Sequence, residues 1–472
     1  MADLSELDLV TAARLIRQGE LSPVDYVEAL LARIEQYDGA LDSFLLLLAD
    51  GARERAETAA AAVTAGETLG PLHGVPYGLK DIIDVAGLPT TAHSRLLADN
   101  VAAADATVAA RLHLAGGILL GKMATHEFAI GGPSFDLPWP PARNPWNRER
   151  YPGGSSSGSG AAVAAGFLPA AVGSDTGGSV RNPASACGIV GIKATYGRVS
   201  RHGVVPLSQS LDHVGPMTRT VADNALLLGV MAGHDPADPA SARAPVPDFS
   251  AGLGQGVQGL RIGVLRHFHT RDMVAADAMT RAIEDALAVL TELGAEIVEI
   301  ETAPLQDYAT TNRIILLCEA YAIHRQWLQT RPEDYGASFR ERVLPGAFLS
   351  GGDYVDALRH RRQLAAGFDA LMRDCDAAIA ASSMEPAFVI DDAAEVALKY
   401  PRQARTPFNV TGHPALALPI GFDAEGLPLS MQIVGRYFDE AMVYRVAQAY
   451  EGATDWHLRR PPLAAAPTSG GS

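Results

Sequence analysis

Apolar positions along the chain recur first at helical and later at strand spacing. Leu9, Ala12, Ala13 and Ile16 repeat at intervals of three and four, which predicts a helix with one buried face. Ser22 and Pro23 read as an N-cap followed by a proline at the first helical position, and Val27, Leu30, Leu31 and Ile34 then share a face. Residues 53–64 are Ala-rich and read as a further helix. From 71 to 91 the texture changes to Gly, Pro and β-branched residues, as expected of short strands and turns. Residues 105–115 read as a helix closed by Gly116-Gly117 and followed by a strand at 118–121. The proline-rich stretch 123–152, with Trp139 and Trp146, reads as a long ordered loop. A strand at 261–265, a helix over about 274–293 and a strand at 296–300 make a βαβ-like unit. This alternation predicts an α/β fold, a mostly parallel or mixed sheet with helices on its faces.

The chain has 472 residues, enough for two or three average domains or one large one. With 48% hydrophobic and 19% charged residues, it is neither a disordered chain nor a coiled coil. Lys plus Arg is 38 and Asp plus Glu is 54, a net charge of −16. Such acidity disfavours a general nucleic-acid-binding surface, which needs a basic face, and favours solubility. Cys187, Cys318 and Cys375 are far apart, with no metal-ligand or disulfide spacing, and read as reduced, buried thiols. The first residues carry no basic and apolar leader pattern, and no apolar window is long enough to span a bilayer. The expectation is a cytoplasmic protein with no membrane contact.

The chemistry concentrates in residues 153–181, GGSSSGSGAAVAAGFLPAAVGSDTGGSVR. A Gly/Ser turn leads into a helix of small residues, then a short strand at 170–173, then a second Gly/Ser turn. Gly177 and Gly178 leave backbone N–H groups unshielded beside Ser179, the arrangement an oxyanion hole needs. A serine nucleophile also needs a base. Lys80 stands out because it lies in the apolar run LHGVPYGLKDIID. Burial would lower its pKa and make it a proton acceptor. The same spacing also allows an ion pair with the adjacent Asp81.

These segments resemble the amidase signature family. The resemblance rests on GVPYGLKD around Lys80, GGSSSGSGAAVAAG, GSDTGGSVRNPASACGIVGIKATYGRVS and the run Leu211 to Pro216. It extends to Thr406-Pro407-Phe408-Asn409, Gly412-His413-Pro414-Ala415, Gly426-Leu427-Pro428 and Gln432. It implies a Ser–cis-Ser–Lys triad with Ser179 as nucleophile, Ser155 as bridging serine after a cis Gly154–Ser155 peptide, and Lys80 as base. It also implies oxyanion donors at Thr176, Gly177, Gly178 and Ser179, and supporting hydrogen bonds from Ser156, Ser157, Asp175 and Arg181. No metal or organic cofactor is implied. Ala194 departs from the pattern, standing where the family has proline. The implied fold is a single α/β domain with a mixed, twisted sheet of about eleven strands flanked by helices. Residues 1–65 would be its N-terminal helical segment, 66–462 the signature domain and 463–472 a flexible tail.

The function expected from this resemblance is hydrolysis of small amides, with aryl or apolar substrates favoured and esters and carbamates (urethanes) also in reach. The expected partner is that small molecule, with no nucleic acid, acting on a monomer or homodimer. Specificity is expected from 125–146 and from 307–355, which holds Tyr308, Tyr321, Trp327, Tyr335, Phe339, Phe348 and Tyr354. One alternative is the glutaminase subunit of a tRNA-dependent amidotransferase, although His126 stands where that subunit has Asp. Another is an α/β-hydrolase-type Ser/His/Asp esterase, because Gly154 to Gly158 also fits G-x-S-x-G with Ser156 as nucleophile. Gly254, Gly256 and Gly259 form G-x-G-x-x-G but precede a strand rather than follow one, so they read as a linker.

Overall fold

The computed structural model describes residues 3–67 and 69–464. The expected tail at 463–472 falls, from 465 onward, outside the described residues. Among the described residues eleven strands form one sheet. They are β1 (Phe44–Leu47), β2 (Pro76–Lys80), β3 (Ile118–Met123), β4 (Ala170–Asp175), β5 (Val190–Lys193), β6 (His213–Thr218), β7 (Arg261–Val264), β8 (Glu296–Glu299), β9 (Ala377–Ala381), β10 (Ala415–Phe422) and β11 (Pro428–Val434). Their spatial order is β1-β3-β2-β4-β6-β5-β10-β11-β9-β7-β8. The sheet is mixed. β2 runs parallel to both β3 and β4, and β7 runs parallel to β8 and β9, while the remaining pairs are antiparallel.

Local sequence explains most elements. The helix Leu9–Arg17 buries Leu9, Ala12, Ala13 and Ile16, the face set by their spacing. The helix Pro23–Tyr37 is capped by the Ser22 side chain and starts on proline. The βαβ-like unit is present as β7, the helix Asp277–Glu292 and β8. The N-terminal region also contains β1, a four-residue apolar strand on the sheet edge rather than part of a helix. One continuous core joins the helices to both faces of the sheet. Cys187 and Cys375 are buried and Cys318 is half-buried, and all three are free thiols. No helix among the described residues is long and apolar enough to cross a membrane. The glycines at 254, 256 and 259 line a turn ahead of β7, and a Cβ on any of them would meet nothing within 4 Å.

Candidate active site

The central strands deliver their chemistry at their carboxyl ends, where open α/β sheets place ligand crevices. Lys80 is the last residue of β2 and is fully buried, as are the side chains of the whole strand. Strand alternation sends Lys80 and Asp81 to opposite sides. Asp81 pairs instead with Lys122 at 2.7 Å and accepts from Thr91. The Lys80 ammonium is left facing two hydroxyls, Ser155 Oγ at 2.7 Å and Ser174 Oγ at 2.9 Å. Burial lowers the Lys80 pKa from 10.5 to about 7, against smaller upward pulls from Asp212 and Asp175. At neutral pH a large fraction of this amine is uncharged and able to accept a proton.

Ser155 follows a cis Gly154–Ser155 peptide. The bend is held on both sides, since His126 N–H donates to Ser155 O at 3.1 Å and Asn182 donates to Gly154 O at 3.2 Å. A Cβ at Gly154 would run into the His126 ring, so glycine is required there. Ser157 opens the small-residue helix Ser157–Ala164, all of which is buried. Ser156 is fully buried, exchanging hydrogen bonds of 3.2 Å with the backbone of Ser174. It has no histidine on its hydroxyl among the described residues, so the nucleophile-elbow alternative has no geometry behind it.

Ser179 sits in the turn after β4 and is 8% exposed, which leaves its hydroxyl reachable from a cavity of about 210 Å³. Gly154, Thr176, Gly177 and Gly178 line the same cavity. The turn is shaped by Asp175. One of its carboxylate oxygens accepts from Gly178 N at 2.7 Å, the other from Val180 N at 3.2 Å. The Gly178 N–H is therefore already spent on Asp175. The N–H groups of Thr176, Gly177 and Ser179 have no acceptor among the described residues and are the ones free to meet an oxyanion.

Asp175 is buried with Arg181, and each of the two guanidinium–carboxylate bonds is 3.0 Å. Burial alone would raise the Asp175 pKa, but Arg181 and the amide of Asn409 hold it well below the usual carboxylate range. Arg181 also donates to Gln432, Asn409 and the Arg405 carbonyl, so every face of this buried charge is satisfied. Sequence reasoning did not single out Ser174. Period-two alternation in β4 was the available signal, because it turns Ser174 away from the Asp175 side and toward β2.

Both segments expected to set specificity reach the cavity. Residues 129–131 and Ala309, Asn312, Arg313, Leu316, Leu317 and Arg342 line it. The aromatic side chains of 307–355 do not. Tyr335 and Phe339 stack on each other at 4.6 Å and pack with Phe128 and His324 inside the protein, while Phe348 is exposed. An aryl-binding wall is therefore absent from the described cavity lining. The reason is physical: these rings bury more area against one another than a small cavity could offer them.

Comparison with known proteins agrees with the site. The family model Amidase matches residues 25–444. The chain belongs to the amidase signature family. It is 40% identical to the amidase-family subunit of the glutamyl-tRNA(Gln) amidotransferase of Chloroflexus aggregans, over 99% of this chain and 100% of the relative. The crystal structure of the corresponding glutamyl-tRNA(Gln) amidotransferase subunit from Thermotoga maritima superposes with a TM-score of 0.82 at 31% identity, covering 98% of this chain and 99% of that one. A bacterial aryl acylamidase of the amidase signature family superposes at 0.88 with 26% identity, over 96% of this chain and 99% of that one.

These likenesses correct two expectations. Full-length similarity at 40% to an amidotransferase subunit overturns the reading of an independent hydrolase of aryl or apolar amides, esters and carbamates. It overturns equally the expectation of a small-molecule partner with no nucleic acid, since such a relative is one part of an assembly named for a tRNA. The overall acidity misled on this point, because net charge describes one chain and not a complex. What stands is an amidase-family enzyme built to hydrolyse C–N bonds.

Proposed function

We propose that this chain is the glutaminase subunit of a tRNA-dependent amidotransferase, releasing ammonia from the carboxamide of glutamine for a companion subunit to use on glutamyl-tRNA. The observation that carries it is the 40% identity, along 99% of the chain, to a glutamyl-tRNA(Gln) amidotransferase subunit. Two features of the site fit. The cavity at Ser179 is about 210 Å³, smaller than the roughly 300–1,000 Å³ of drug-sized ligand sites, and suits a small amide. With a net charge of −16, this chain leaves most of the tRNA backbone to its companions.

In this mechanism neutral Lys80 takes the proton of Ser155, and Ser155 takes that of Ser179. Ser179 Oγ attacks the side-chain carbonyl, and the charge that develops on oxygen meets the Thr176, Gly177 and Ser179 N–H groups. As the C–N bond breaks, the proton passes back through Ser155 to the leaving nitrogen, which departs as ammonia. Water, deprotonated by the same relay, then attacks the acyl-Ser179 ester and releases glutamate. Asp175 and Arg181 hold the turn that carries Ser179 and its donors.

The test is ammonia release from L-glutamine by the full chain assembled with the companion subunits of a bacterial amidotransferase. Glutamine-dependent conversion of glutamyl-tRNA supports the reading. Assembly without any glutamine-derived ammonia overturns it.

A further inference from the structure

The cavity beside Ser179 has an unusual electrostatic wall for so acidic a chain. Three arginines, Arg313, Arg342 and Arg405, line it, and no Asp or Glu does among the described residues. None of the three has a carboxylate within ion-pair distance among the described residues. Arg342 lies over the Tyr400 ring at 5.0 Å, which leaves its charge unneutralised.

Arg405 is the most constrained of the three. It is only 4% exposed, and its Nη1 is fixed by the Ser382 carbonyl at 3.0 Å and Ser383 Oγ at 2.7 Å. Its Nε has no acceptor and lies against Gly178, 2.7 Å from where a Cβ on that glycine would stand. Its Nη2 has no partner among the described residues. The contrast with Arg181 is direct: that buried guanidinium has Asp175, Asn409, Gln432 and a carbonyl around it. A buried cation without a counter-ion is costly, and the Nε/Nη2 edge is the one that grips a carboxylate with two parallel bonds.

We infer that the free Nε/Nη2 edge of Arg405 reads a carboxylate on the substrate, so that the site selects amides bearing a carboxylate and rejects neutral and cationic ones of the same length. The inference deepens the glutaminase reading and rests on it for the location of the reacting amide beside Ser179. Arg405 acts here as a specificity-determining residue. It fixes the acid end of the substrate and takes no part in proton transfer. Because the wall holds no acidic group for an ammonium, an α-amino group is not required. Glutaramate, the monoamide of glutaric acid, is then a ligand in its own right.

The experiment is calorimetric binding to the full-length Ser179→Ala chain, so that no ligand is consumed. The probes are glutaramate, neutral pentanamide, cationic 5-aminopentanamide and L-glutamine. Glutaramate is expected to bind about 10- to 100-fold more tightly than pentanamide, as a charge-assisted hydrogen-bonded pair would give, and 5-aminopentanamide is expected to bind weakest. Arg405→Lys and Arg405→Gln, each added to that chain, are expected to bring the glutaramate preference down to about threefold, since neither side chain offers the paired edge. A purely structural role would weaken glutaramate and pentanamide alike and leave their ratio unchanged, which overturns the inference. So does equal affinity for the two, or no measurable affinity for glutaramate, in the starting chain. Preference for glutaramate with no binding of L-glutamine keeps the role of Arg405 and removes the glutaminase reading.

Discussion

Lys80 Nζ lies 2.7 Å from Ser155 Oγ, at a site where the lysine is fully buried and has no carboxylate on it. The pair joins the end of β2 to the turn before the small-residue helix, 75 positions later. Removing the amine should stop the relay without opening the fold. Lys80→Met is expected to lose about 10²–10⁴ of kcat, the usual worth of a positioned proton-transfer group. Lys80→Arg should be equally inactive, because a guanidinium keeps its proton. Steady-state ammonia release, with circular dichroism as the check on folding, measures both.

The pH profile follows from the same burial. The proton must be off Lys80 for the relay to begin, and its pKa is lowered to about 7. Activity is therefore low below that value, where the amine is charged, and rises toward a plateau above it. Between about pH 5 and 7, kcat/KM should climb close to tenfold per unit. The Asp212 charge opposes the lowering. Asp212→Asn removes that pull and should move the rise to lower pH. A profile flat from pH 5 to 9 would contradict the assignment of Lys80 as base.

Asp175 and Arg181 test the scaffold of the turn. Both are 0% exposed, and Arg181 satisfies a carboxylate that would otherwise be buried alone. Arg181→Met should destabilise the protein by about 3–5 kcal/mol, the penalty for breaking a buried ion pair from one side. Urea unfolding measures it. Ser174→Ala should be milder, about one hydrogen bond or ~1 kcal/mol, and should shift the pH profile because Ser174 touches the Lys80 amine.

Gly178 is required for two separate reasons. Its φ is +125°, and an added Cβ would stand 2.7 Å from Arg405 Nε. Gly178→Ala should then push Arg405 and the turn apart, cutting kcat/KM by at least about tenfold, with a strain cost of about 1–3 kcal/mol. Activity close to that of the parent chain would contradict the packing described at this turn.

The sequence was informative wherever local physics decides structure. Ser22 and Pro23 announced a helix start, and the spacing of Leu9, Ala12, Ala13 and Ile16 announced a buried face. Phe44–Leu47 was not legible as a strand, because a short apolar run has no period that separates strand from helix. Lys80 and Ser155 were named through a motif resemblance, but their contact depends on β2 lying next to β4, which no local pattern encodes. The commitment of the Gly178 N–H to Asp175 was likewise invisible, since it is a property of the folded turn. The aromatic residues of 307–355 could not be sorted from sequence into core and cavity wall, because both places reward an apolar ring. The unpaired arginines were hidden for the opposite reason: an arginine in sequence carries no sign of whether its counter-ion is inside the protein.

The central claim is that Ser179 opens the carboxamide of glutamine within an amidotransferase assembly. Glutamine-dependent ammonia release by that assembly, measured in parallel with the parent chain and with Ser179→Ala, tests it most directly. Ammonia is predicted from the parent chain, with a loss of at least about 10³-fold in the variant, the scale expected when a nucleophile is removed. Equal ammonia release from both would contradict it.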